Sequence, residues 1–342
     1  MGKDITRVLV EATIRKTLKG MDESPERTMR NLVDLALSFS NGRFQKSLFS
    51  ITQNMLQNEN SAYYDLAKDL IAHVNADALT AFGLNLGYNS CTSGAKKIRD
   101  TEQKEGFNIP WCLSLLLRRA DWPARRPDYT SLLEQGQALG IHTYLLFCED
   151  DPSFLLPFLA NFPDCAFILF TQGRSITPLL LDRAAALHHV MFAILWDQAA
   201  EPACALLRRR QFLFSLYYRY GAHDRSAILS GGAIRQLTAL HPAFCFFIPD
   251  DDCPPDAEAA VYRYLTRTRE EQKIPALLMD IKYDNRAIDG IISDDACTAV
   301  IEANGALCGF PANSSYNLFT RNLESVLRQA FPSSAPRRTP RH

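Results

Sequence analysis

Residues 79–98 read Leu79-Thr-Ala-Phe-Gly-Leu-Asn-Leu-Gly-Tyr-Asn-Ser-Cys-Thr-Ser-Gly-Ala-Lys-Lys-Ile98, and the rest of the chain is organised around this stretch. The apolar run over 82–87 predicts a buried strand. A tight polar loop holding Asn89, Ser90 and Cys91 follows it, and a helix is predicted over about 92–105. Before this stretch the sequence predicts helices, and after it short apolar runs alternate with helical segments.

Composition excludes several classes of protein. The 342 residues carry a formal net charge of -1 and are 47% hydrophobic, which fits a globular protein with a large core and no field to attract nucleic acid. No apolar run approaches the roughly 20 residues that span a bilayer, and the first residues lack the apolar core of a signal peptide. Nine cysteines without a signal peptide indicate a reducing compartment, and the absence of any C-x-x-C pair gives no ready-made zinc or thioredoxin-type site. We therefore expect a cytoplasmic protein with no nucleic-acid or membrane partner.

The N-terminal part, residues 1–77, is predicted to be a small helical domain. Apolar residues recur at helical intervals over 4–14, and Ser24-Pro-Glu-Arg is a helix start with a serine cap and proline in the first turn. Further helices are expected over 44–56 and 61–74. Their apolar stripes are most simply core faces.

From residue 78 to 310 the pattern predicts a (β/α) barrel, complete or partly open. The strand candidates are near-continuous apolar runs, which is typical of a parallel sheet covered by helices. They are residues 82–87, 111–117, 143–148, 166–170, 190–196, 212–217, 243–248 and 276–281. The doubly wound sheet is the alternative, but its G-x-G-x-x-G turn is absent.

The C-terminal part is expected to add three smaller elements. Residues 288–307 predict a hairpin that turns at Asn304-Gly305 and ends the barrel region at 310. The segment 311–331 contains a predicted helix over about 315–330. Residues 332–342 are rich in proline, arginine and serine and predict a disordered tail.

A barrel builds its site from the loops at the carboxyl ends of its strands. This rule converts the predicted strands into a ring of candidate site residues: Asn85, Asn89, Cys91, Glu149, Asp150, Asp151, Gln172, Arg174, Asp197, Tyr218, Arg219, His223, Asp250, Asp251, Asp252, Cys253, Asp280, Lys282 and Asp284. Polar loops at strand ends also serve solubility, so each residue needs support from geometry.

A barrel with a cysteine in the loop after its first strand resembles the radical S-adenosylmethionine enzymes. The resemblance implies a [4Fe–4S] cluster on a C-x3-C-x2-C loop, with a free iron that chelates S-adenosylmethionine. Cys91 matches the first position only, because Ala95 and Ile98 stand at the other two. The resemblance implies cofactor contacts at Asn85, Asn89, Ser90 and Cys91. One hypothesis is an unusual metal site in which remote cysteines such as Cys253, Cys297 and Cys308 join Cys91. The alternative interpretation is a barrel that does not perform radical chemistry.

Two alternatives use other residues. Asp280, Lys282 and Asp284 alternate along a predicted strand end, so all three are expected to face one side and to serve proton transfer or Schiff-base chemistry. The second hypothesis is therefore a metal- or lysine-dependent barrel enzyme that uses these three residues together with Asp250. The third is a non-catalytic interaction scaffold, which predicts an exposed apolar patch on residues 4–75.

Overall fold

A computed structural model describes residues 5–20, 30, 57–293 and 295–333. The helices predicted within 24–56 and most of the predicted tail lie outside the described residues. The α-helices are α1 Ile5–Gly20, α2 Ala62–His73, α3 Ala76–Gly83, α4 Ala95–Glu105, α5 Trp122–Leu139, α6 Leu156–Leu159, α7 Pro178–Ala184, α8 Ala200–Arg209, α9 Arg225–Leu229, α10 Gly232–Thr238, α11 Pro255–Glu271, α12 Ile281–Ile292 and α13 Leu323–Ala330. A π-helical segment, Leu84–Gly94, joins α3 to α4.

Eight strands form one parallel sheet in the order β7-β6-β5-β4-β3-β2-β1-β8. They are β1 Cys112–Leu116, β2 Thr143–Phe147, β3 Ala166–Thr171, β4 Val190–Leu195, β5 Phe214–Tyr220, β6 Phe244–Pro249, β7 Leu277–Asp280 and β8 Ala299–Ile301. Neighbouring strands pair in register, for example Phe147 with Phe170 and Tyr217 with Phe246. The first and last strands in this order, β7 and β8, are not paired with each other. The prediction of a partly open (β/α) barrel is confirmed.

Aromatic contacts across the sheet show that it is strongly curled. Phe170 on β3 and Phe246 on β6 have ring centroids 5.4 Å apart, although two strands lie between them. In a flat sheet these strands would be about 14 Å apart, since neighbours are about 4.8 Å apart. The face that carries Phe170 and Phe246 is therefore the concave face of a half-barrel.

The convex face is covered by helices. Tyr144 on β2 donates a hydrogen bond to Leu133 O of α5, and the side chains on this face are almost fully buried. Concave-face side chains near the carboxyl ends remain partly exposed at Leu116, Phe147, Leu195 and Ile248. Because alternate strand residues point to opposite faces, one face supplies the core and the other remains accessible.

The amino-terminal mouth of the half-barrel is closed by the π-helical segment. The amide of Asn85 donates to the carbonyls of Pro163 and Cys165, both at 2.8 Å, in the loop that enters β3. Ser90 Oγ lies 2.7 Å from Oγ1 of Thr143, the first residue of β2. The predicted strand over 82–87 is therefore wrong. Asn75 caps a helix start by accepting from the Asp77 and Ala78 amides, and a short apolar run does not by itself distinguish a strand from a buried helix.

Both edges of the open sheet are occupied by other parts of the chain. At the β7 edge, Arg269 Nη1 donates to Leu278 O at 3.1 Å, and the Asp280 amide donates to Asp284 Oδ2 at 2.8 Å. At the β8 edge, the Cys308 amide donates to Val300 O at 2.8 Å. An open barrel has two such edges, and unpaired edges invite pairing with other chains.

The C-terminal region differs in part from the prediction. Residues 281–292 form a helix rather than the entry to a hairpin, and β8 supplies the eighth strand instead of 82–87. The turn at Asn304-Gly305 is present: Gly305 has a φ of 84° and its amide donates to Glu302 O. The final helix begins at Leu323, later than predicted.

Candidate functional site

The concave face carries an aromatic floor near the carboxyl ends of the strands, formed by Phe147, Phe170, Tyr217 and Phe246. Phe147 stacks on Phe170 at 4.3 Å between ring centroids. Phe170 also meets the edge of Tyr217 at 5.3 Å and packs against Phe246 at 5.4 Å. The strand register and the curl bring these four rings together from β2, β3, β5 and β6.

Tyr217 has a largely buried side chain whose hydroxyl group still reaches the accessible concave surface. Its side chain is 7% exposed, and the hydroxyl makes no hydrogen bond to any residue that the structure describes. Burial raises the pKa of Tyr217, the charges of Glu149 and Asp197 raise it further, and Arg219 lowers it. The phenol is therefore neutral and available as a hydrogen-bond donor or acceptor.

Charged residues follow the floor at the carboxyl ends of the strands, and we call Glu149, Asp197, Arg219 and Asp250 the charged rim. Arg219 lies inside β5, two positions after Tyr217, and therefore on the same face. Glu149 and Asp197 follow the ends of β2 and β4, and their charges also act on the Tyr217 phenol. Backbone pairing continues beyond the strands here, with Trp196 N donating to Tyr217 O and Asp250 N to Tyr220 O.

Within the rim, only some charges are neutralised. Arg219 Nε donates to Asp250 Oδ1 at 2.9 Å. Asp197 accepts a backbone hydrogen bond from the Ala199 amide. Over residues 57–293 and the other described parts, neither Glu149 nor Asp197 has a basic side chain within ion-pair distance. Two carboxylates therefore remain unpaired above an apolar, aromatic surface.

The predicted cofactor-binding residues lie at the opposite end of the half-barrel. Asn85, Asn89, Ser90 and Cys91 are in the π-helical segment, next to the amino-terminal ends of β2 and β3. Their expected position at the carboxyl end of a first strand is wrong, because β1 begins only at Cys112. The polar members hold the segment against the sheet: Asn89 Nδ2 donates to Asn85 Oδ1 at 2.9 Å and to Asp164 O at 3.0 Å.

The cysteines predicted as metal ligands do not assemble. All nine cysteines lie in the described ranges, and in those ranges no three His, Cys, Asp or Glu side chains are grouped as a metal site would require. Burial raises the pKa of the Cys91 thiol to about 12. Cys297 is fully buried, and burial raises its pKa even further, whereas Cys308 is exposed.

These residues do not fit a [4Fe–4S] cluster. A cubane cluster in such a loop needs three thiolates, and the loop that follows the true first strand contains none, since no cysteine occurs between Cys112 and Cys148. Burial keeps Cys91 and Cys297 as neutral thiols. No chemical step through a cluster follows from this ligand set.

The predicted catalytic residues also separate. Because 281–292 is helical, the expected alternation of Asp280, Lys282 and Asp284 along a strand is wrong. Asp280 ends β7 on the convex face, fully buried, where it accepts from Tyr220 Oη at 2.8 Å and from the Tyr283 amide. Burial raises the pKa of Asp280 to about 6.

The other two members of this set have structural partners. Lys282 Nζ forms an ion pair with buried Glu258 at 2.7 Å. Asp284 accepts two hydrogen bonds from Arg269, both at 2.9 Å. Their catalytic role stays a prediction, but none of the three side chains reaches the concave face.

Two acidic side chains, half-buried Glu102 and buried Asp289, connect the entrances to β1 and β8. Glu102 of α4 accepts from the Ile109 amide at 2.7 Å. Asp289 of α12 accepts from the Trp111 amide at 3.0 Å and from Thr298 Oγ1 at 2.8 Å. Burial raises the pKa of each carboxyl group to about 7.

The N-terminal helices present a different surface. Val8 and Leu9 on α1 are 47% and 52% exposed. An open cavity of about 190 Å³ lies between α1, α2 and α3, lined by Arg15, Leu18, Ile71, Ala76, Leu79 and Thr80. None of the described helices has the length and apolar character needed to cross a bilayer. An interaction role for these helices stays a prediction.

Sequence reasoning alone does not identify the aromatic floor. Phe170 reads as an ordinary residue of a buried strand, and the predicted ring of site residues includes Tyr218 of β5 rather than Tyr217. Glu149, Asp197, Arg219 and Asp250 were in the predicted ring, but nothing separated them from their neighbours. The missing signal is the strand register, which decides the face to which each residue belongs.

No protein-family model matches the sequence, and no curated protein matches it. Among solved structures, the chain is similar to Streptococcus suis SuiB bound to S-adenosylmethionine, with a TM-score of 0.50 and 9% sequence identity, over 86% of this chain and 78% of that one. SuiB is a radical S-adenosylmethionine enzyme. The chain has a radical-SAM-like fold.

A second structure of Streptococcus suis SuiB gives a TM-score of 0.48 at 9% identity, over the same shares of the two chains. At this identity the likeness concerns the radical-SAM-like fold alone. That fold is the one predicted from the sequence, although the cysteine loop on which the prediction rested lies elsewhere.

Proposed function

We propose that this protein binds S-adenosylmethionine on the concave face of its half-barrel, at the carboxyl ends of β2 to β6, without a [4Fe–4S] cluster. The observation that carries the proposal is the aromatic floor around Tyr217, whose ring is buried against Phe170 while its hydroxyl group stays accessible, next to the unpaired carboxylates of Glu149 and Asp197.

The chemistry of the ligand fits these groups. An adenine ring stacks well on aromatic side chains, and Phe147 is partly exposed at the edge of the floor. A sulfonium and an ammonium group are cations, which Glu149 and Asp197 can neutralise by charge-assisted contacts. Tyr217 can donate to a ring nitrogen or a ribose oxygen. The fold neighbour that binds this ligand adds support.

Isothermal titration calorimetry of the purified chain with S-adenosylmethionine tests the proposal. We expect saturable binding, weakened about tenfold or more in Glu149→Gln and in Asp197→Asn, because losing a hydrogen bond to a charged group costs about 1.5–3 kcal/mol. Both side chains are exposed, so the variants should fold normally.

The matched control is Glu134→Gln, which removes an exposed carboxylate from α5 on the covered side of the sheet. We expect its affinity to equal that of the wild type. Thermal denaturation of every variant verifies folding. A folded wild type that does not bind S-adenosylmethionine would contradict the proposal, as would equal losses in all three variants.

A further inference from the structure

We propose that Arg219 binds the α-carboxylate of an amino-acid head group, that Glu149 and Asp197 bind its cationic groups, and that Asp250 is the residue that positions Arg219. This assignment rests on the proposed function, and it adds which part of the ligand each member of the charged rim recognises.

The position of Arg219 follows from the strand that carries it. Arg219 lies inside β5, two residues after Tyr217, so the two side chains leave the same face. Tyr217 contacts Phe170 on that face. The guanidinium therefore projects from the concave side, next to the aromatic floor, and its charge acts on the Tyr217 hydroxyl.

The hydrogen bonding of Arg219 leaves its binding nitrogens available. The bond to Asp250 uses Nε, at 2.9 Å. Neither terminal nitrogen makes a hydrogen bond to a residue in the described ranges, and the side chain is 50% exposed. Two terminal nitrogens of one guanidinium form the planar fork that binds a carboxylate through two parallel bonds.

Asp250 is anchored independently of this ion pair. Its amide donates to Tyr220 O at 2.9 Å, which continues the pairing of β6 with β5. The carboxylate is thereby fixed relative to the strand that carries Arg219. Holding the guanidinium through Nε restricts its rotation and reduces the conformational entropy lost when a ligand binds.

The charges of the rim match those of the head group. S-adenosylmethionine carries one carboxylate and two cationic groups, the ammonium and the sulfonium. The rim offers one guanidinium and two carboxylates without a basic partner in the described structure. The cysteines in the described ranges do not fit a cluster, so side chains are the groups left to neutralise the charges of the head group.

The test compares S-adenosylmethionine with decarboxylated S-adenosylmethionine, which lacks only the carboxylate. We expect the wild type to bind S-adenosylmethionine with an affinity about tenfold or more higher than that for the decarboxylated ligand. This ratio is the change in affinity that one charge-assisted contact to a carboxylate gives. Arg219→Gln should reduce this preference to near unity while the affinity for the decarboxylated ligand stays within about twofold. Asp250→Asn should reduce the preference by a smaller factor.

The control is Arg183→Gln, an exposed arginine of α7, which should keep the wild-type preference. If the wild type binds S-adenosylmethionine but Arg219→Gln retains the preference, the head-group assignment is overturned and the proposed function stands. If Asp250→Asn keeps the full preference, Asp250 is not a positioning residue. If the folded wild type binds neither ligand, both proposals are overturned.

Discussion

At the scale of single residues, the buried acids of this protein divide by what they hydrogen-bond. Asp284 is paired with a cation, Arg269. Glu102 and Asp289 instead accept from backbone amides and a hydroxyl, with no basic partner strong enough to offset burial. Desolvation disfavours the charged form of such a group, so its pKa rises. Hydrogen bonds from neutral donors therefore do not offset the desolvation of Glu102 and Asp289.

This difference predicts an inverted pH dependence of stability. Burial raises the pKa values of Glu102 and Asp289 to about 7 in the folded chain, from 4.5 and 3.8. Between about pH 4 and pH 7 the folded state then binds more protons than the unfolded state, so the contribution of these groups to the free energy of unfolding falls as pH rises. One pKa unit corresponds to about 1.4 kcal/mol.

Urea denaturation at several pH values measures the slope of the free energy of unfolding against pH. We expect Asp289→Asn to make this slope clearly shallower without abolishing it, because an amide keeps one acceptor oxygen but does not titrate, while Glu102 and Asp280 still titrate in the same window. The matched control is Asp100→Asn in the same region of α4, an exposed acid, which should leave the slope unchanged. A slope in Asp289→Asn equal to that of the wild type would contradict the prediction.

At the scale of elements, the π-helical segment explains how a polar stretch came to lie inside the fold. Asn85 and Asn89 of the segment donate hydrogen bonds to backbone carbonyl groups in the loop that enters β3. The segment ends at Gly94, where its backbone lies against that of Gly140. A Cβ placed on Gly94 would lie 2.3 Å from Gly140 O and 2.5 Å from Asn89 O. Gly140 has a φ of 103°, which favours glycine. The two glycines allow the segment to approach the end of α5.

Gly94→Ala is therefore expected to destabilise the protein by about 3 kcal/mol or more, since backbone atoms cannot move away as a side chain can. Gly87→Ala, in the same segment, meets no atom within 4 Å. It should be neutral or should stabilise the protein by up to about 1 kcal/mol, as alanine in place of glycine does in a helix. Chemical denaturation gives the free energy of unfolding of both variants. Equal values for Gly94→Ala and Gly87→Ala would contradict the close approach of Gly94 to Gly140.

The β7 edge gives a second prediction at this scale. Asp284→Ala should lower the free energy of unfolding by about 3 kcal/mol, because it leaves a largely buried Arg269 without its partner. Asp182→Ala removes an exposed ion pair with Arg210 and should cost no more than about 1 kcal/mol. Urea denaturation measures both. A loss of ligand binding in Asp284→Ala without any loss of stability would instead support a catalytic or binding role.

At the scale of the whole molecule, the sequence predicted the architecture better than the site. The runs at β3 and β4 are apolar on both faces, so their burial was visible without a structure. The run at 82–87, Phe-Gly-Leu-Asn-Leu-Gly, is too short and too mixed to distinguish a strand from a helix. The three-residue β8 gives almost no signal. Tyr217 and Arg219 belong to a site only because the sheet curls and brings distant strands together. The curl depends on all the strands at once, so no local stretch of sequence shows it.

The whole-molecule view also predicts that the protein contains no iron–sulfur cluster. After anaerobic purification and reconstitution with iron and sulfide, we expect far less than one cluster per chain and no sulfide-to-iron charge-transfer band. Binding of S-adenosylmethionine should be unchanged in Cys91→Ala, because that thiol lies at the opposite mouth. Stoichiometric iron that disappears in Cys91→Ala would contradict the prediction.

The capped edges of the half-barrel have a consequence for assembly. The carbonyls of Leu278 and Val300, which face outward from β7 and β8, already accept hydrogen bonds from Arg269 and from the Cys308 amide. An extended peptide, or a strand from a second copy, would have to displace these donors before it could lengthen the sheet. The sheet is thereby protected at both edges against the addition of another strand, although the barrel stays open.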